Sequence, residues 1–170
     1  DEVVMQLCAE MLLMMELEPG RDAARKRADD AVRSGRAAEA FERMVAGLGG
    51  PANFVAEFER HLPAAKVLRQ VYPEREGWLV EVDGFAIGNA VVEIGGGRRR
   101  QDDRIDPAAG FNDVAPIGTY VDARTPLATV HAATDEAAER GAELYRKACL
   151  TGSKKPQART VIYRSIVPGP

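Results

Sequence analysis

The chain has only two cysteines, two histidines and one tryptophan in 170 residues, and aromatics make up 6% of it. So few histidines and cysteines leave little material for a zinc centre or a disulfide framework. Cys8 and Cys149 both lie in apolar patterns of helical period, which reads as a pair of buried free thiols suited to a reducing compartment. There is no excess of positive charge: the formal net charge is -3 and the isoelectric point is near 5.5. A nucleic-acid binder held by bulk electrostatics is therefore not expected. No uncharged apolar run reaches the length of a membrane span, and no secretory leader pattern is present. The expected location is the cytoplasm. What remains is 45% hydrophobic and 29% charged, which is neither disordered nor fibrous, and 170 residues suffice for one ordinary domain or one domain plus an appendage.

The chain opens on Asp1 and runs at once into an apolar pattern, which reads as a piece of a longer protein. Val4, Leu7, Cys8, Met11, Leu12, Met14 and Met15 recur at three and four residues, nearly all round a helix, so burial on several sides is expected. Pro19-Gly20 stops it. A charged helix over about 21–34 follows, with Ala24, Ala28, Ala31 and Val32 on one stripe and Gly35 as its C-terminal cap. A third helix spans about 37–48. A short fourth is capped by Asn53 and ends before Pro63.

Past Pro63 the pattern turns β-rich. Lys66 to Tyr72 and Trp78 to Val82 read as strands joined by a turn over Pro73 to Gly77. Asp83 starts a helix over about 86–94, which Gly95-Gly96-Gly97 ends. Short strands are expected near Gly110-Phe111, Tyr120-Val121 and Leu127 to His131. A last helix runs from a Thr134 cap to about Leu150, with Ala138, Ala142, Tyr145, Ala148 and Cys149 facing inward. Gly152 to Pro156 reads as a loop and Thr160 to Val167 as a closing strand. The fold class is α+β: a helical segment over 1–62, then over 63–170 a mostly antiparallel sheet with flanking helices.

Each group with chemical potential has a plainer reading. Gly95 to Gly97 with Arg98 to Arg100 could hold a phosphate through amides and guanidinium groups. The spacing fits neither a P-loop nor a dinucleotide fingerprint, and the glycines follow a helix at its negative end. A helix terminator with solvated arginines is the plainer reading. Asp102, Asp103 and Asp106 lack calcium-loop spacing and read as partners for those arginines. His61 and His131 have no ligand neighbours in sequence, Asp83 reads as a helix cap, and Ser153-Lys154-Lys155 as a solvated loop. No catalytic, cofactor-binding or metal-binding residue emerges from spacing alone.

Taken together, several blocks resemble one family. They are Leu7 to Leu12, Phe41 to Ala46, Gly50 to Val55, Ala86 to Val92, Gly95 to Arg99, Asp103 to Asp106, Gly110 to Asp113, Pro126 to Ala132 and Thr160 to Ile166, in family order along nearly the whole chain. The chain resembles the C-terminal portion of bacterial thymidine phosphorylases, within the pyrimidine nucleoside phosphorylases. The resemblance implies a parent pentosyltransferase that converts thymidine and phosphate to thymine and 2-deoxy-α-D-ribose 1-phosphate, with no metal or organic cofactor. It implies a homodimeric parent, with residues 1–62 belonging to the catalytic body. It places the phosphate loop and the base-reading Arg, Ser and Lys upstream, so no catalytic residue is carried over and the piece itself is expected to be inactive. The chain departs from the family pattern at Gly118-Thr119 and at Asp122-Ala123-Arg124, a turn without the usual glycine. Two other readings compete. One is a phosphorylase of another pyrimidine nucleoside. The other is a carrier module of the biotinyl or lipoyl type, faintly suggested by Gly118 to Val121 before Pro126-Leu127. A carrier needs a lysine at a hairpin tip, and Lys26, Lys66, Lys147, Lys154 and Lys155 do not read as one.

Overall fold

A computed structural model describes residues 2–158, Thr160, Ile162 and Ile166. The strand expected over Thr160 to Val167, Tyr163-Arg164 included, lies outside the described residues but for those isolated positions. The chain forms two compact units, one running to His61 and the other spanning Leu62–Ala158.

The first unit holds α1 (Glu2–Met14), α2 (Arg21–Arg33), α3 (Arg36–Gly47) and α4 (Phe54–His61). Small side chains meet where α1 packs on α2: Ala9 and Ala24 are fully buried and Ala28 nearly so. The charged face of α2 ties back to the preceding segment through Arg25–Glu2, Arg21–Glu10 and Arg27–Glu18 at 2.6–2.9 Å. Gly35 takes φ +83°, the left-handed value that lets α2 end and α3 begin without a Cβ penalty. Two expectations are corrected. The side-chain acceptor at the start of α4 is Glu42 of α3, which receives the Val55 N–H at 3.0 Å; the Asn53 contribution is its carbonyl, which takes the Glu57 N–H. Burial of α1 on several sides does not occur within this unit either. Val4, Leu7, Met11 and Met14 are exposed, because one helix can cover only one stripe of an all-round apolar neighbour.

The second unit contains β1 (Val67–Val71), β2 (Gly77–Val82), α5 (Gly84–Glu93), β3 (Gly110–Asn112), β4 (Tyr120–Val121), β5 (Ala128–Ala132), α6 (Asp135–Lys147) and β6 (Cys149–Gly152). The strands form two antiparallel three-stranded sheets, β1-β5-β3 and β4-β2-β6. This is an α+β architecture. β1 and β2 are thus not a hairpin, and the segment from Pro73 on connects two sheets. Pro73 has no N–H to extend the β1 ladder, and the Tyr72 carbonyl is taken by Arg146 Nε at 3.0 Å. The last helix also stops earlier than its period suggests. Ala148 closes it, and Cys149 to Gly152 pair with β2 in the register Val82↔Cys149 to Trp78↔Gly152.

The core lies between α6 and the sheet β1-β5-β3. Strand alternation buries Ala128, Val130 and Ala132 and leaves Thr129 and His131 half-buried on the other face. Val71, Leu79, Val121, Leu127 and Ile94 complete the cluster, with Ala138, Ala142 and Tyr145 descending from α6.

Candidate functional site

The loop after α5 was the strongest candidate in the sequence, and its geometry explains what each residue does. Gly95 adopts φ +97°, and Gly96 donates its N–H to the Val91 carbonyl at 2.8 Å, so the helix is closed by a left-handed glycine turn. The Gly95 carbonyl accepts the Asp106 N–H at 2.9 Å, which brings the chain back on itself. The Asp103 carboxylate receives the backbone N–H groups of Arg99 and Arg100 at 3.0 and 2.8 Å, and Asp106 receives that of Ala108 at 2.9 Å. The Gly95 and Gly96 amides are thus spent on helix carbonyls, and those of Arg99 and Arg100 on a carboxylate that the chain itself supplies. Arg99 pairs with Glu93, while Arg98 and Arg100 are exposed. Asp103 and Asp106 serve the loop backbone, which corrects the expectation that they pair with the arginine side chains. Among the described residues no cluster of three or more His, Cys, Asp or Glu is arranged to hold a metal ion.

Asp83 is the N-cap of α5: one carboxylate oxygen accepts from Phe85 and Ala86, each at 3.0 Å. Thr134 caps α6 in the same way, through the Ala137 N–H at 3.2 Å. His61 is exposed and stacks on Phe54 at 6.3 Å. His131 sits half-buried on β5 opposite Leu68 and Gly110, beside a shallow depression bordered by Phe111 and Asn112. Lys155 lies over the Trp78 ring at 5.1 Å, and Trp78 meets Tyr120 edge-on at 5.4 Å, so part of the cationic loop is tied to the β4-β2-β6 sheet. Lys147 pairs with Glu143 at 2.5 Å. None of the lysines in this unit occupies a hairpin tip between paired strands, as a carrier module would require.

Neither cysteine is disposed as a nucleophile. Cys8 and Cys149 are free and half-buried, and burial pushes the Cys149 thiol up to about 11. Burial also lifts the Tyr145 phenol to about 12, with a further contribution from neighbouring Cys149. The sign of the resulting pH dependence follows directly. The folded state holds the phenolic proton more tightly than the unfolded chain does. This stabilisation is complete below pH 10 and disappears as the pH rises through about 12. The expected loss is roughly 2–3 kcal/mol over that window. Urea midpoints measured from pH 9 to 12 should fall for the native chain and fall less for Tyr145→Phe; equal slopes would refute the assignment.

The turn that lacks the family glycine is closed by its aspartate. Asp122 accepts the N–H groups of Arg124 and Thr125, both at 2.8 Å, and these bonds hold its carboxyl below the usual range. What sequence reasoning did not bring together is a pair of arginines, Arg75 and Arg146. They lie 71 positions apart and face one cavity. No periodicity or spacing rule relates them, because the link is made by the pairing of β6 with β2.

No helix among the described residues is long and apolar enough to cross a membrane. Residues 78–151, from within β2 to within β6, match the family model of the pyrimidine nucleoside phosphorylase C-terminal domain. Two small antiparallel sheets flanked by helices are consistent with that domain. Residues 78–151 are thus similar to the C-terminal domain of pyrimidine nucleoside phosphorylases.

Proposed function

We propose that this chain is the C-terminal portion of a thymidine phosphorylase, cytoplasmic and homodimeric in its parent form, in which residues 1–62 belong to the catalytic body and residues 63–170 form the C-terminal α+β domain. The observation that carries the reading is the match over 78–151. The ordered sequence blocks on both sides of it add support. In this reaction phosphate attacks the anomeric carbon of the nucleoside while the glycosidic bond to the base breaks. The bonding electrons leave with the pyrimidine, and the products are thymine and 2-deoxy-α-D-ribose 1-phosphate. Positive charge develops on the sugar and negative charge on the leaving base, so preorganised donors must hold phosphate and base on opposite sides of the sugar. Here the Gly95–Arg100 loop has its Arg99 and Arg100 amides committed to Asp103. The Ser153-Lys154-Lys155 loop follows a strand and not a helix N-terminus, where an anion would find free amides. The reading accordingly assigns both substrate sites to other parts of the parent enzyme.

A thymine-release assay on the 170-residue chain and on the parent protein tests this. The short chain is expected to show no turnover. The parent is expected to cleave thymidine with phosphate, faster than uridine, and to keep that activity in a chelator. Turnover by the short chain would overturn the assignment of the catalytic groups. A parent that prefers uridine would keep the phosphorolytic reading and replace its substrate.

A further inference from the structure

The connection between β1 and β2, the end of α6 and strand β6 enclose a cavity of about 280 Å³ within the second unit. Its apolar wall is Leu127, Pro73 and Leu150, with the half-buried Cys149 beside them. Two arginines line it. Arg146 is half-buried and fixed by its Nε, which donates to the Tyr72 carbonyl at 3.0 Å, so both terminal nitrogens remain to donate. No described residue bonds the side chain of Arg75, whose backbone carbonyl is held by the Thr151 hydroxyl at 3.3 Å. Glu74 is the one carboxylate on the lining, so the cations outnumber it.

We propose that this cavity binds a small organic oxyanion with an apolar body, the charged end on the Arg146 fork and the body against Leu127. The geometry argues for each half. A guanidinium anchored through Nε presents its two terminal nitrogens as a fork, which matches the two oxygens of a carboxylate. The second cation, Arg75, lies at the rim, where it attracts an anion without being tied to an internal partner. The apolar wall gives an aromatic or aliphatic body a contact surface that a bare inorganic ion cannot use. The site is separate from the phosphorolytic reading and stands or falls without it.

The test is an amide NMR titration of the 170-residue chain with benzoate, acetate and inorganic phosphate at constant ionic strength. Benzoate is expected to saturate the Leu127, Leu150 and Thr151 signals, with acetate and phosphate each weaker by about tenfold. Arg146→Lys keeps the charge and loses the fork, and should weaken benzoate by about tenfold. Arg75→Gln has no side-chain bond to lose, so its fold is preserved; it should weaken benzoate about threefold, and Glu74→Gln should strengthen it by a similar factor. Absence of saturation by benzoate overturns the proposal. So does equal binding of all three anions, or binding that is indifferent to both arginine variants.

Discussion

Tyr145→Ala is expected to destabilise the second unit by about 3–5 kcal/mol, a large share of what a domain of this size has in total. Tyr145 is among the largest fully buried side chains, at 1% exposure. It descends from α6 into the cluster formed by Val71, Leu127 and Val130, and its ring lies 4.7 Å from that of Phe111 in a tilted pair. The alanines around it on α6, Ala138 and Ala142, are fully buried and too small to move into the space. The cavity left behind would therefore persist, and its cost adds to the lost burial. Tyr145→Phe keeps the ring and should stay within about 1 kcal/mol of the native chain. Leu68→Ala, at a 62% exposed position on the opposite face of the same sheet system, should cost about 0.5 kcal/mol or less. Urea unfolding followed by circular dichroism measures all three. A Tyr145→Ala loss no greater than that of Leu68→Ala would show that the core does not run through α6.

The second large effect is expected at Gly96. The sequence points to three glycines as a helix stop, and the structure gives Gly95 and Gly96 different parts, with Gly97 close to a Val92 methyl. Gly95 supplies the left-handed φ of +97°, with open space where its Cβ would be. Gly96 is the place of closest approach: a Cβ there would lie 2.6 Å from the Ala109 carbonyl oxygen and 2.7 Å from a Val91 methyl. The carbonyl belongs to the backbone leading into β3 and cannot turn away as a side chain could. Gly95→Val should cost about 1–2 kcal/mol through backbone strain alone. Gly96→Val should cost about 2–3 kcal/mol, because the loop must part from the segment before β3. Arg98→Ala, two residues on and exposed, should leave the thermal midpoint nearly unchanged. A Gly96 variant as stable as the Arg98 variant would refute the close approach.

Much of the local structure was legible because it is decided by near neighbours. The helix periods, Pro19-Gly20, the Gly35 cap and the capping roles of Asp83 and Thr134 rest on interactions within a few residues, and each is found where the pattern puts it. Asp83 caps its helix as read, while Asp103 and Asp106, expected to partner the arginine side chains, take backbone amides instead, since short polar side chains close to a turn find backbone amides first. By itself the sequence therefore determined most element types among the described residues, the α+β class and the loop that ends α5. The tertiary structure alone decided the partners. Strand period says which face is buried but not which strand lies beside it, so β1 pairs with β5 and β2 with β6, in place of the hairpin expected across Pro73 to Gly77. The same non-local pairing turned Cys149 and Leu150 from the expected helix end into the start of a strand, because ladder bonds to β2 outweigh their helical preference. It also brought Arg146 and Arg75 to one cavity, a meeting that only long-range hydrogen bonding could arrange.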